Sequence, residues 1–179
     1  MKLAGVPSIT PLISEQEIHA RVRAMAMEIA AAIPQDMLVV ALLKGSFIFA
    51  ADLLRALHDA GVAPQVDFMT ASSYGAGMQS SGHVQIQRDL SEEVQGRHVL
   101  LIDDILESGH TLHFARASLL SRGAASLHIA VLLEKPGKRT VDISAKFVGF
   151  SIADAFVVGY GLDYANYYRE LPYIGVIAT

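Results

Sequence analysis

HVLLIDDILESGHTL (residues 98–112) joins an apolar run, an acidic pair and a turn of small polar residues. The continuous apolar pattern over residues 98–103 predicts a strand that is buried on both faces of a parallel sheet. A helix is predicted to begin at about His110, directly after the turn. Open parallel sheets bind ligands at the carboxyl ends of their strands, so we expect Asp103 and Asp104 to lie at a binding edge.

The turn after this strand favours a bound anion. Gly109 permits close approach of the backbone, Ser108 and Thr111 add hydroxyl donors, and the first N–H groups of the helix attract negative charge. Three carboxylates, including Glu107, stand beside this anion site. A sugar phosphate would satisfy both features, because its phosphate meets the donors and its hydroxyl pair donates to the carboxylates. Bound Mg²⁺ would relieve the remaining repulsion.

The rest of the chain alternates between strand and helix patterns. The first helix is predicted over 14–33, with a capping box at Ser14 and Glu17. The patterns that follow predict a strand over 37–43, a helix ending at Gly61, strands over 65–71, 83–90 and 98–103, a helix from His110 to Gly123 and a strand over 126–133. This alternation implies right-handed crossovers, a mainly parallel sheet and the α/β class. Short strand patterns after Leu133 predict a small hood, formed by about 134–179 together with the N-terminal segment. The hood and the main sheet belong to a single domain, 1–179.

Composition excludes several classes of function. A chain of 179 residues that is 52% hydrophobic fits one domain with a full core. It has no cysteine, which excludes disulfides and thiolate metal sites, and its net charge of −4 argues against broad nucleic-acid binding. No stretch approaches the roughly 20 apolar residues of a membrane span. The first residues lack a signal-peptide core, so we expect a cytoplasmic location.

The segment IDDILESGHTL resembles the phosphoribosyl-pyrophosphate motif of the type I phosphoribosyltransferases, in which two acidic residues and a Ser/Thr/Gly turn follow four apolar residues. Further segments fall in the order seen in hypoxanthine-guanine phosphoribosyltransferases, namely Lys44-Gly45, Ser73-Tyr74, Lys135, FVVGYGLD (156–163) and Arg169. The resemblance covers essentially the whole chain. It implies the type I fold, a twisted, mainly parallel sheet flanked by helices and carrying a small hood.

The resemblance also implies a reaction. Such enzymes use Mg²⁺ to transfer the 5-phosphoribosyl group from phosphoribosyl pyrophosphate to hypoxanthine or guanine, and release IMP or GMP and pyrophosphate. The sugar passes through an oxocarbenium-like state. The tail YGLDYANYYRELPYIG (160–175) is similar to hypoxanthine-preferring bacterial forms, which implies hypoxanthine as first substrate, guanine next and weak use of xanthine. Family members usually form homodimers or homotetramers, and we expect one of these states.

Site roles follow by resemblance, residue by residue. Asp103 and Asp104 would hold the ribose hydroxyls, directly or through Mg²⁺, and Asp163 would bind a second Mg²⁺ and lie beside the purine. The residues implied in binding phosphoribosyl pyrophosphate are Lys44, Gly45, Asp103, Asp104, Ile105, Leu106, Ser108, Gly109, His110, Thr111 and Arg169. The resemblance adds an unusual cis peptide at Lys44–Gly45.

Glu107 departs from the family pattern, in which many members have aspartate. That aspartate lies near the purine N7 and is the family's candidate general base. Glutamate keeps the carboxylate but adds one methylene and a rotatable bond. From the sequence, Glu107 is a catalytic candidate either as general base or as an electrostatic stabiliser.

Three other residues are implied to read the purine. Lys135 would donate to the six-position oxygen, which favours hypoxanthine and guanine over adenine. Phe156 would stack on the base, and the backbone of Val157 would read the ring edge. Seen alone, Phe156 fits a core position better than a base-stacking one.

The Gly/Ser-rich loop at 72–82 is predicted to be a lid. Relatives close this loop over the reacting centre, with the pair matching Ser73-Tyr74 near pyrophosphate, and closure excludes water from the sugar cation. A plain flexible connection is the alternative.

Three alternative functions stay open from the sequence. A xanthine- or guanine-preferring relative would differ by a few contacts near Lys135 and Val157. An RNA-binding regulator that has kept this fold would need a basic face, which the net charge disfavours. A phosphoribosyl-pyrophosphate sensor without catalysis is favoured only by the departure at Glu107.

Overall fold

The computed structural model describes residues 8–73 and 84–177 and confirms the predicted α/β class. Its elements in chain order are β1 (Ile9–Ile13), α1 (Glu15–Ala32), β2 (Leu38–Leu43), α2 (Phe47–Asp59), β3 (Gln65–Ser73), β4 (Val84–Arg88), β5 (His98–Leu106), α3 (His110–Ser121), β6 (Ser126–Glu134), β7 (Phe147–Ser151), β8 (Val157–Val158) and β9 (Ile174–Ile177). No helix in this part of the chain has the length and apolar character needed to cross a lipid bilayer.

A six-stranded sheet in the order β4-β3-β2-β5-β6-β7 forms the centre of the molecule. All neighbouring strands run parallel except β4, which is an antiparallel edge strand. The parallel strands β2, β5 and β6 therefore end at the same edge of the sheet. This edge carries Lys44, the acidic pair and Lys135.

The sheet separates two hydrophobic cores, because successive side chains of a strand point to opposite faces. Val39 and Ala41 pack with the buried residues of α1 and α2. Leu38 and Val40 point the other way and pack with the buried residues of α3. Both faces of β2 are covered, which explains why its sequence is a continuous apolar run.

Helix α1 begins at the predicted capping box. The backbone N–H of Glu17 donates to the Ser14 hydroxyl at 3.3 Å, and the backbone N–H of Ser14 donates to the Glu17 carboxylate at 2.8 Å. Two N–H groups that would lack a helical partner are thereby satisfied. The capping-box prediction is confirmed.

A separate three-stranded antiparallel sheet in the order β1-β9-β8 joins the N-terminal segment to the C-terminal strands. Our hood boundary at about residue 134 was wrong for β7, which belongs to the main sheet. There Val148 pairs with Val131, and Phe150 pairs with Leu133. The physical reason is that no helix lies between β6 and β7, so the sequence lacks the helix pattern that marks a parallel crossover.

Candidate active site

The acidic pair lies at the carboxyl end of β5, held by backbone hydrogen bonds. The N–H of Asp104 donates to Asp103 Oδ1 at 2.9 Å, and the N–H of Ile105 donates to Asp104 Oδ1 at 2.8 Å. Burial and the neighbouring charge of Asp104 raise the pKa of Asp103 well above its usual range. Burial also raises the pKa of Asp104, although a hydrogen bond with Asp103 and the charge of Arg169 oppose that rise. The pair therefore favours a ligand that brings hydrogen-bond donors or a cation.

The strand continues past the acidic pair before the chain turns. We predicted that β5 ends at residue 103, but its ladder with β6 runs to Leu106, which pairs with Glu134. Gly109 has a left-handed backbone, φ 87°, and a β-carbon there would overlap the Ile143 side chain. Helix α3 starts at the next residue, and its first N–H groups have no helical partner. Glycine at this position thus allows the close turn that aims the start of α3 at the site.

A cavity of about 290 Å³ lies between this turn and the end of β2. Predicted site residues in its wall are Gly45, Asp103, Asp104, Ile105, Glu107, Ser108, Gly109 and Thr111. The wall thus brings together the acids and the donors that the sequence suggested for a sugar phosphate.

The turn after β2 contains a non-proline cis peptide, but at Leu43–Lys44. Our expectation of a cis bond at Lys44–Gly45 was wrong by one residue. No proline is involved, so the residue types do not reveal which bond is cis. Gly45 itself lies against the Asp104 carboxylate, and a β-carbon at this position would overlap Asp104 Oδ2.

A second cavity of about 170 Å³ adjoins the first and shares Asp104, Ile105 and Glu107 with it. The remaining wall residues are Lys135, Phe156, Val157, Leu162 and Asp163. Every residue that resemblance assigned to the purine therefore lines this cavity. Glu107 stands at the junction of the two cavities.

Two side chains of the second cavity differ sharply in exposure. Lys135 is buried, with 6% of its surface exposed, and its Nζ lies 3.3 Å from Glu107 Oε1. Phe156 is 47% exposed and meets Tyr164 edge to face, with ring centroids 5.8 Å apart. The exposure of Phe156 places its ring in the cavity wall and not in a core.

A shallower depression of about 430 Å³ connects Lys44 and Gly45 to the hood. Arg169 donates to the Gly161 carbonyl at 2.6 Å and pairs with Asp163 at 2.7 Å. Gly161 in turn lies so close to the Gly45 carbonyl that a β-carbon would overlap it. Arg169 thus fixes the hood segment whose Gly161 packs against the turn after β2.

Some predicted residues lie elsewhere. Leu106 is fully buried in the core beside α3, and His110 contacts Thr140, with 2.9 Å between His110 Nε2 and Thr140 Oγ1. Residues 72 and 73, the first two of the predicted lid, belong to strand β3. Tyr74 and the rest of that loop lie outside the described residues.

The fit to Mg²⁺ depends on the carboxylates. Within residues 8–73 and 84–177, no three side chains of His, Asp or Glu gather around one point. Magnesium usually takes only one or two carboxylates and fills its shell with water and ligand phosphates. Burial raises the pKa of both Asp103 and Asp104, and the charge of Asp104 adds to the rise for Asp103, so the pair fits a cation that arrives with a phosphorylated ligand.

Sequence reasoning missed Asp154. This residue lies 3.7 Å from Lys135 Nζ and also pairs with Lys138. An exposed aspartate in a short connection matches no motif, and the only signal was its position two residues before Phe156.

The parallel sheet, the paired acids and the anion-binding turn at its carboxyl edge define a class of α/β enzyme that binds a phosphorylated sugar. The comparisons narrow this class, because the family model described as phosphoribosyl transferase domain matches residues 13–165. The chain belongs to the phosphoribosyltransferase family, whose members are pentosyltransferases.

Individual relatives agree with this assignment. The chain is 47% identical over 173 residues to the hypoxanthine phosphoribosyltransferase of Escherichia coli (strain K12), covering 95% of this chain and 96% of the relative. It is 46% identical over 167 residues to the hypoxanthine-guanine phosphoribosyltransferase of Bacillus subtilis (strain 168), covering 93% and 91%. A crystal structure of a hypoxanthine phosphoribosyltransferase from Staphylococcus aureus has a TM-score of 0.88 at 43% identity, covering 94% and 90%.

Proposed function

We propose that this protein transfers the 5-phosphoribosyl group of phosphoribosyl pyrophosphate to hypoxanthine, and less readily to guanine, in a Mg²⁺-dependent reaction of purine salvage. The observation that carries the proposal is the position of Glu107 in the shared wall of two adjoining cavities. One cavity has the acids and donors for a sugar phosphate, and the other has Lys135 and Phe156 for a base. The names of the relatives agree with this pair of substrates.

The first cavity would hold the sugar at both ends. The ribose hydroxyls donate to Asp103 and Asp104, while the 5′-phosphate accepts from Ser108, Thr111 and the free N–H groups at the start of α3. Arg169 and Lys44 line the depression beside Asp104 and would contact the leaving pyrophosphate. Mg²⁺ held by the two aspartates would neutralise the leaving group and lower the repulsion within the acidic pair.

The second cavity would hold the base against the sugar. Phe156 presents its ring face, and Lys135 donates to the six-position oxygen. The bond from C1′ to pyrophosphate oxygen breaks, and a bond from C1′ to the purine nitrogen forms. Glu107 would accept the proton that the purine ring releases, since it lies in the wall shared by the two cavities.

The contact with Lys135 sets the choice of purine. Hypoxanthine, guanine and xanthine carry an oxygen at position six, whereas adenine carries an amino group that cannot accept from an ammonium. A buried donor left without an acceptor is costly, so adenine is disfavoured. Preference for xanthine or guanine over hypoxanthine is the competing proposal within the same reaction.

The proposal is tested by measuring nucleotide formation from phosphoribosyl pyrophosphate with hypoxanthine, guanine, xanthine and adenine. We expect turnover in the order hypoxanthine, guanine, weak xanthine and no adenine, and loss of turnover when EDTA removes Mg²⁺. No product with any of the four purines would overturn the proposal, and xanthine as first substrate would establish the competing one. Homodimer or homotetramer formation stays a prediction, checked by analytical ultracentrifugation.

A further inference from the structure

The buried ammonium of Lys135 lies between two carboxylates. Its Nζ is 3.3 Å from Glu107 Oε1 and 3.7 Å from Asp154 Oδ1. The other oxygen of Asp154 pairs with Lys138. The backbone N–H of Lys135 donates to the Leu106 carbonyl at 3.0 Å, which anchors the lysine to the end of β5. These contacts form a chain of ion pairs that begins at Glu107, passes through Lys135 and Asp154 and ends at Lys138.

The two carboxylates differ in their access to substrate. Glu107 lines both cavities, whereas Asp154 lines neither of them. Asp154 lies in the connection between β7 and β8, two residues before Phe156. That connection is tied to β6 where the N–H of Ile152 donates to the Glu134 carbonyl at 2.9 Å. Asp154 can thus remain beside Lys135 while a base occupies the pocket.

Glu107 cannot serve both the lysine and the substrate in every step. If its carboxylate turns toward the proton of the purine, Lys135 loses its nearer partner. The six-position oxygen of the base accepts a hydrogen bond but is neutral, so it does not balance the charge of the buried ammonium. An unbalanced buried charge is unfavourable, and the side chain would move toward solvent. Some other anion must then keep the ammonium in the wall of the pocket.

We infer that Asp154 is a positioning residue that holds the Lys135 ammonium at the purine pocket after Glu107 turns to the substrate. Lys138 pairs with the outer oxygen of Asp154 and leaves the inner oxygen for Lys135. Asp154 acts through Lys135 and does not touch the base. The inference rests on the proposed function, because it assigns Lys135 to the six-position oxygen.

The test compares the wild-type protein with Asp154→Asn, Asp154→Glu and the matched control Asp142→Asn. Asp142 is also exposed, and it makes no ion pair with any residue that the structure describes. We expect Asp154→Asn to lower kcat/KM for hypoxanthine about 5- to 20-fold, the range for weakening one partly exposed charged contact. The KM for phosphoribosyl pyrophosphate should stay unchanged, Asp154→Glu should restore part of the loss, and Asp142→Asn should match wild type.

A mutant cycle with Lys135→Met separates positioning from a general structural effect. If Asp154 acts through Lys135, then Asp154→Asn causes no further loss in the Lys135→Met protein. Equal losses in both backgrounds, or wild-type values for Asp154→Asn, would overturn the inference while leaving the proposed function intact. A wild-type protein without purine turnover would instead overturn the proposed function, and the inference with it.

Discussion

The α-carbon of Gly45 lies directly against the carboxylate of Asp104, with no room for a β-carbon between them. The contact joins the ends of β2 and β5, the two central strands of the sheet. Gly161 of the hood approaches the carbonyl of Gly45 just as closely. The Asp104 carboxylate is therefore packed directly against the backbone of residue 45, and any side chain at residue 45 would displace it.

Gly45→Ala should lower kcat/KM for phosphoribosyl pyrophosphate by about 100-fold, the effect expected when a site group moves by roughly 1 Å. The added methyl overlaps Asp104 Oδ2, so the carboxylate must turn away from the sugar site. Steady-state kinetics measures the loss. Gly96→Ala is the control for strain away from the site, because a β-carbon there meets no atom within 4 Å while its left-handed backbone, φ 72°, lowers stability without contacting Asp104. Normal kinetics for Gly45→Ala would show that the position of Asp104 does not matter.

Glu107→Gln should lower kcat by roughly 10²–10⁴-fold, the usual contribution of a general base, because the amide keeps the shape but cannot accept the proton. The KM for phosphoribosyl pyrophosphate should change little, since the acids and donors of the first cavity remain. Steady-state rates with hypoxanthine measure both values. Glu93→Gln, a change at an exposed position, is the control. Near-normal turnover would remove Glu107 from the mechanism.

Local features of the fold could be predicted because short-range physics determines them. The capping box of Ser14 and Glu17 acts within one helical turn, and the apolar run of β2 reflects burial on both faces. The acidic pair was placed correctly at the carboxyl edge, because parallel strands end together.

Other features depend on distant parts of the chain and carry no local signal. The resemblance joined the hood with the N-terminal segment, but not the particular pairing of β1 with β9, and β7 follows β6 without a helix. The partnership of Asp154 with Lys135 arises only because two connections meet above the sheet. No periodicity or motif encodes such contacts, so the sequence could identify the site residues better than the groups that hold them.

Tyr160→Phe should lower the free energy of unfolding by about 1.5 kcal/mol, because it removes a hydrogen bond to a charged acceptor. The buried Tyr160 hydroxyl donates to Asp52 Oδ2 at 2.6 Å and ties the hood to α2. Burial, together with Asp52, raises the pKa of Tyr160, so it stays a donor at neutral pH. Urea denaturation measures the change. Tyr167→Phe, at an exposed ring, should leave stability unchanged; equal effects of the two variants would contradict the role of the bond.

Asp67→Asn should destabilise the protein by about 1–2 kcal/mol at neutral pH. Burial raises the pKa of Asp67, but backbone N–H groups of Glu92, Phe68 and Ser91 and the charge of Arg88 outweigh burial and hold that pKa below its usual range. The carboxylate thereby fixes the chain after β4 to β3.

The lowered pKa gives this effect a pH dependence with a definite sign. The stabilisation is fully present above the unfolded pKa, about 4, and is lost as pH falls through the lower folded pKa. Unfolding free energies at several pH values should therefore show wild type and Asp67→Asn converging in acid. Asp59→Asn, at an exposed position, should follow wild type throughout. A difference that stays constant with pH would contradict the charge of Asp67 as its source.

Asp103→Asn should stabilise the ligand-free protein while weakening its affinity for phosphoribosyl pyrophosphate. Burial and Asp104 raise the pKa of Asp103, so the folded state holds this proton more tightly than the unfolded state does. Stability is then highest below the unfolded pKa and falls as pH rises toward the folded pKa. Asparagine does not ionise, so the variant keeps its stability as pH rises. Its side-chain oxygen can still accept a hydrogen bond from the Asp104 N–H. A gain on the order of 1 kcal/mol is expected above neutral pH without Mg²⁺, for relief of one like-charge pair.

Bound ligand should make the wild-type protein more stable than Asp103→Asn. A variant that was stabilised only by better packing would remain the more stable protein with ligand as well. Phosphoribosyl pyrophosphate with Mg²⁺ at about 100 times its Kd adds about 2.7 kcal/mol to the wild-type protein, but much less to a variant that binds it weakly. Thermal melting with and without this ligand measures both effects, and Asp36→Asn serves as the exposed control. A ligand-free Asp103→Asn protein that melts below wild type above neutral pH would show that the acidic pair is not a source of repulsion. The site would then have no need of a cation or diol to relieve it.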